Sequence, residues 1–144
     1  MTAHPAFSVL GIELEYAIVA RDSLAVRPLA ERFLDGGGSA CADGPGALGW
    51  SNELVAHVVE LKNAQPLPPA ALTPAPFAAA IRAANEALAA DDACLLPGAM
   101  HPWMDPAREA VLWERSDAAI YLAYDRLFDC ARHGRRGLAG ADDD

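Results

Sequence analysis

The sequence predicts an α+β fold, a sheet with flanking helices, on three observations. Residues 7–20 are rich in β-branched and aromatic side chains and carry the period-two alternation of a strand, and residues 50–63 return to a β-branched, strand-like composition. Residues 73–88 instead repeat Phe77, Ile81, Ala84 and Leu88 on one helical face. The chain of 144 residues is 53% hydrophobic and 22% charged, enough apolar material for one core and for one domain's length.

The elements follow in order. In FSVLGIELEYAIVA, Ile12, Leu14 and Tyr16 alternate with Glu13 and Glu15, and Pro5 and Arg21-Asp22-Ser23 bound the first strand. Residues 24–34 place Leu29, Phe33 and Leu34 at helical spacing, with Pro28 near the start and Gly36-Gly37-Gly38 beyond the end, which predicts a short helix. The glycine-dense stretch 35–49 reads as a loop. A phosphate cradle there lacks the G-x-x-x-x-G-K-[ST] pattern. WSNELVAHVVELKN, 50–63, reads as a second strand that the prolines at 66, 68 and 69 end.

Thr73 and Pro74 then start the 73–88 helix as cap and first-turn residue. ACLLPGAM, 93–100, predicts a short buried strand, with Pro97 and Gly98 pointing to a bulge or an edge position. Asp105-Pro106 is a helix-start signal, with Ser116-Asp117 as the alternative start of a regular helix through Ile120, Tyr124, Leu127, Phe128 and Ala131 to Gly134. Residues 135–144 have no period and end in three aspartates, the composition of a disordered tail.

Composition excludes several classes of function. Eleven basic against twenty acidic residues give a net charge of -9, so sequence-independent nucleic-acid binding lacks the basic surface it needs. No apolar run reaches the roughly 20 residues of a membrane span, and residues 1–5 lack the n- and h-regions of a signal peptide, which predicts a cytoplasmic protein without membrane partners. Cys41, Cys94 and Cys130 form no C-x-x-C pair and read as buried reduced thiols. There is no G-x-S-x-G elbow and no recognisable cysteine–histidine protease motif.

Carboxylates are the candidates for chemistry. Residues two apart in a strand share a face, so Glu13 and Glu15 project together and their repulsion calls for solvent or a cation. Glu53 and Glu60 are seven apart, an odd spacing that puts them on opposite faces of a regular strand, so a shared site requires a bulge or twist between them. If the four converge, the site is all-oxygen, the donor set that Mg²⁺ or Mn²⁺ prefers. The alternative is that these glutamates solvate the open face of an antiparallel sheet.

Lys62, the only lysine, shares the face of Glu60 and either pairs with a carboxylate or meets a phosphate. His101, in a loop beside Trp103, could line a pocket; with Lys62 it is a candidate cofactor contact. His57 lies in an apolar run and reads as a packed or surface histidine rather than a ligand.

The segment Gly11-Ile12-Glu13-Leu14-Glu15-Tyr16 resembles the opening G-x-E-x-E strand of the glutamate-cysteine ligase-like carboxylate-amine ligases. The resemblance continues in order through Asn52-Glu53-Leu54, Val59-Glu60-Leu61-Lys62-Asn63, the loop Pro97-Gly98-Ala99-Met100-His101-Pro102, and Ile120-Tyr121 to His133-Gly134. It implies a partial glutamine-synthetase-like, antiparallel-rich sheet, with 1–134 the N-terminal part of the catalytic domain and 135–144 a tail.

It also implies ATP and Mg²⁺ or Mn²⁺ as cofactors. Glu13, Glu15 and Glu60 match the family's metal carboxylates, with Glu53 a fourth acidic candidate. The reaction implied is phosphorylation of an amino-acid carboxylate followed by amine attack, giving an amide or γ-glutamyl bond, as in glutathione biosynthesis. Family members continue after the segment matching His133-Gly134 into a further strand with polar and histidine site residues, so this chain is expected to be truncated and its site incomplete. The alternative is an inactive remnant or binding module acting through an exposed sheet edge, with a homo-oligomer as one form. A stand-alone metal-dependent hydrolase is the third option.

Overall fold

The structure, a computed structural model, describes residues 4–38 and 46–113 together with 119, 120, 123 and 127. It is α+β: an open, antiparallel four-stranded sheet with helical elements against it. The strands are β1 (Glu13–Ala20), β2 (Leu48–Asn52), β3 (Val58–Asn63) and β4 (Ala93–Pro97), in the spatial order β2-β3-β1-β4. The helices are α1 (Ala30–Phe33), α2 (Pro74–Leu88) and α3 (Pro106–Glu109).

Register explains the two faces. Trp50 opposes Leu61, which opposes Leu14, and Asn52 opposes Val59, which opposes Tyr16. These rows, with Ile18, Leu95 and Ala93, turn toward α2, where Ala84 and Leu88 are buried and Phe77 and Ile81 pack in support. Trp50 is the keystone of the aromatic part of this core. Its ring meets Tyr16 edge-on at a centroid distance of 6.0 Å and Phe33 at 5.4 Å.

α2 forms where its apolar period places it. Thr73 is extended at the N-cap and Pro74 occupies the first turn, but the threonine hydroxyl makes no capping bond. The helix is tied to the sheet by Asn85, whose Oδ1 accepts from the Leu95 amide at 2.8 Å. Arg21 adds a second tie, donating to the carbonyls of Ala93 (3.0 Å) and Asn85 (3.1 Å). At the end of β3, the Asn63 amide fastens the chain entering β1. Its Oδ1 accepts from the Ile12 amide at 2.6 Å, and its Nδ2 donates to the carbonyls of Gln65 (2.6 Å) and Leu10 (3.3 Å).

Several expectations change. Residues 50–63 are not one strand: β2 and β3 pair antiparallel, and the chain reverses between them over residues 53–57. The expected helix over 24–34 shrinks to the single turn α1 followed by a π-turn, Leu34–Gly38, because Leu24 has φ +57 and Val26 bridges to Val19 of β1 instead. The first strand begins at Glu13 rather than residue 7, since Phe7 takes φ +63 in a turn. Leu48 and Gly49, assigned to the glycine-rich loop, belong to β2.

The strand expected over 93–100 ends at Pro97 and lies at the sheet edge, where the missing proline N–H is least costly. Gly98 then has φ +103, a conformation that favours glycine, and its amide donates to the Glu15 carbonyl. Asp105 caps α3 by accepting from the Ala107 amide at 3.0 Å, but α3 is one turn long. The expected helix to Gly134, the tail 135–144, Cys41 and Cys130 lie wholly or mostly outside the described residues. Cys94 is a free, half-buried thiol.

Candidate acidic site on the sheet

The face of the sheet away from α2 carries the glutamates. In antiparallel pairing, side chains directly opposite one another share a face. Gly49, Lys62 and Glu13 form one cross-strand row, and Ser51, Glu60 and Glu15 form the next. Glu13 and Glu15 are exposed, as the alternation in β1 dictates. Glu60 is at the centre of its row, and only 6% of it is accessible.

A buried carboxylate needs donors. Glu60 Oε2 accepts from Lys62 Nζ at 3.3 Å and from Ser51 Oγ at 3.4 Å, both long contacts. Its other oxygen, Oε1, is buried and, among the described residues, faces no fixed donor.

The reversal at 53–57 settles how Glu53 relates to Glu60. No bulged strand is needed, because the chain folds back and Glu53 leaves β2 on the Glu60 side. Burial first, then a hydrogen bond shared with Glu60 and the charges of Glu60 and Glu15, raise the Glu53 pKa to about 7; the Leu54 backbone opposes this. Near neutral pH a proton held on Glu53 is therefore a donor available within the cluster. Glu15, Glu53 and Glu60 are electrostatically joined. Glu13 lies one row along, opposite Lys62.

Glu53 makes stability depend on pH. Below its ordinary 4.5 the carboxyl is protonated in both folded and unfolded chains; between 4.5 and about 7 only the folded chain keeps the proton. Stability should therefore fall as pH rises through that window. Solvent screening reduces the effect to about 1 kcal/mol. Thermal melts from pH 4.5 to 8 in chelator should show wild type losing stability relative to Glu53→Gln as pH rises; parallel curves would refute the coupling.

His101 does not join the glutamates. It is buried, its Nε2 is 2.7 Å from the Leu24 carbonyl, and its ring stands edge-on to Trp103 at 4.9 Å. Residues 98–113 form a strap across the 53–57 turn. The Ala56 amide donates to the Val111 carbonyl at 2.7 Å, the Trp113 amide donates to the Leu54 carbonyl at 3.0 Å, and Val55 bridges Leu112. Under the strap lies His57, 2% exposed, with its Nδ1 buried and unpartnered. The sequence left His57 as either packed or on the surface, and the structure packs it; its interaction with His101 was not legible, because nothing local links residues 44 apart.

The donor chemistry on the acidic face suits a hard cation: oxygens only, one of them buried without a partner. Among the described residues, no three histidine, cysteine, aspartate or glutamate side chains already form a group that could hold a metal ion. No helix among the described residues is long and apolar enough to cross a membrane.

No protein-family model and no solved structure matches the chain. The chain is 32% identical over 130 residues to an uncharacterized protein of Archaeoglobus fulgidus. The match covers 88% of this chain and 34% of that protein, so the chain spans about a third of the relative's length.

Proposed function

We propose that this chain is the N-terminal part of an ATP-dependent carboxylate-amine ligase of the glutamate-cysteine ligase-like kind, acting on amino-acid substrates in the cytoplasm. The observation that supports it most is the buried Glu60 with an orphaned oxygen, flanked by Glu15 in register and by Glu53. Carboxylates crowded together without enough protein cations to balance them are stabilised by a divalent ion.

In this reading Glu15, Glu53 and Glu60, with Glu13 beside them, hold Mg²⁺ or Mn²⁺. When bound, the ion neutralises phosphate charge and orients the γ-phosphoryl group for transfer to a substrate carboxylate. Lys62 balances part of the Glu60 charge and stands at the edge of the same face, half-exposed, where a phosphate can reach it. His101 has no part in that contact, since its ring is engaged with Leu24 and Trp103. An amine then attacks the phosphorylated carboxyl; the C–N bond forms as the C–O bond to phosphate breaks, and inorganic phosphate and the amine's proton leave. A glutamine-synthetase-like continuation of the sheet, supplying the remaining ligands, belongs to the same proposal.

The test is Mn²⁺ binding to the 144-residue chain followed by paramagnetic resonance, with and without ATP. Tighter Mn²⁺ binding in the presence of ATP than ATP and Mn²⁺ alone explain supports the reading. Absence of Mn²⁺ binding in both conditions overturns it.

A second reading is a binding module without catalysis. It is favoured by the open sheet, which ends in β2 on one side and β4 on the other. Self-association that grows with concentration, with no nucleotide-induced rise in melting temperature, would select it.

A further inference from the structure

We propose that the strap, residues 98–113, is proton-sensitive: it is held over the 53–57 turn at neutral pH, and mild acid acting at the buried His57 releases it. The inference does not depend on ligase chemistry. It rests on two histidines buried together at the seam between strap and turn, one of them with an unpartnered ring nitrogen.

The strap ends on Trp113, which is buried in the main core. Three backbone links join strap to turn: Ala56 to Val111, Leu54 to Trp113, and the Val55–Leu112 bridge. At its start the strap is fixed by Gly98, whose amide donates to the Glu15 carbonyl and whose carbonyl accepts from Ala17. Its middle is held by His101, whose Nε2 donates to the Leu24 carbonyl at 2.7 Å. Met100 and Trp103 beside it are exposed, so this stretch has little apolar burial to retain it.

Among the described residues, the two charges that bear on His57 both come from the strap. His101 disfavours a proton there and Glu109 favours one, while burial is the largest influence and holds the ring neutral, below its ordinary 6.5. The other elements packed on the seam do not compensate. β1 offers apolar Ala17, Ile18 and Val19, and α1 carries exposed Glu31 and Arg32, the latter paired with Asp91 at 2.6 Å. The turn before α1 holds exposed Arg21 and Asp22 and half-buried Arg27. On the turn itself, Glu53 is engaged with Glu60 and Glu15.

The sign follows. A histidine whose pKa is lowered in the closed strap binds protons more readily once the strap opens, so opening becomes easier as pH falls below 6.5. A charged ring at His57 would be buried with Glu109 as the one carboxylate found to favour it among the described residues.

Hydrogen exchange read by mass spectrometry tests this, with rates corrected for the intrinsic pH dependence of amide exchange. Between pH 7.5 and pH 5.0, strap peptides of the full chain should lose several-fold protection relative to α2 peptides. His57→Gln should abolish that loss. Glu109→Gln keeps an acceptor for the Asp105 amide, so it should leave protection at pH 7.5 unchanged and enlarge the loss at pH 5.0, because the closed seam then resists protonation more strongly. Strap and α2 responding alike in wild type would overturn the proposal. So would an undiminished acid loss in His57→Gln or, should that variant not fold, a Glu109→Gln response identical to wild type.

Discussion

If the proposed metal site exists, Glu60→Gln is expected to weaken Mg²⁺-dependent nucleotide binding by more than about a hundredfold while leaving the apoprotein folded. The size follows from position. Loss of a group that merely orients a metal ligand costs about 10–100-fold in affinity, and Glu60 is placed to be a ligand itself. The substitution keeps the shape of the side chain at the centre of the sheet and removes one negative charge from beside Glu53 and Glu15. In the absence of metal it should therefore do the opposite of harm: the Glu53 carboxyl moves back toward its ordinary range, and the melting temperature at pH 8 rises or holds. Titration calorimetry with Mg²⁺ and ATP, paired with melts in chelator, reads both effects. Retained Mg²⁺-dependent binding in Glu60→Gln would sink the metal assignment, whereas a collapsed apoprotein would mark Glu60 as a structural residue.

Trp50→Ala should cost about 3–5 kcal/mol of folding stability. Trp50 lies in a core row between β2 and the sheet centre, opposite Leu61, and its ring contacts both Tyr16 and Phe33 edge-on. Alanine there leaves a cavity and removes two aromatic pairs at once. Domains of this size are stable by only about 5–15 kcal/mol, so much of the margin is lost. Because Ser51 and Asn52 follow Trp50 into the turn bearing Glu53, the acidic face should loosen with it. Urea unfolding gives the direct measure, and a loss below about 1 kcal/mol would show that β2 is held by its ladder alone.

Local signals made some of this legible. The alternation in ELEYAIVA places Glu13 and Glu15 on one face, and the structure keeps them there, exposed. The recurrence of Phe77, Ile81, Ala84 and Leu88 identifies α2, and Pro97 with Gly98 identifies an edge strand and its exit. The reversal at 53–57 was not legible, because Glu53-Leu54-Val55-Ala56-His57 contains none of the glycine, proline or asparagine that marks a tight turn. Partners far along the chain hold it: Val111, Leu112 and Trp113 supply or receive its backbone contacts. That hidden turn is what joins Glu53 to Glu60, so the odd spacing that argued against a shared site was measured along a strand that does not exist. The helix expected over 24–34 failed for a related reason: the bridge from Val26 to Val19 outweighs a weak helical period.

Asn63 sets where this domain can be cut. Its amide holds the chain at Leu10 and Ile12, ahead of the first residue of β1. A shortened chain starting at Glu13 would keep every strand yet leave a mostly buried amide oxygen and one of its amide contacts without a protein partner. The smallest self-sufficient version of this unit therefore begins no later than Leu10, a boundary drawn by one side chain rather than by the sheet.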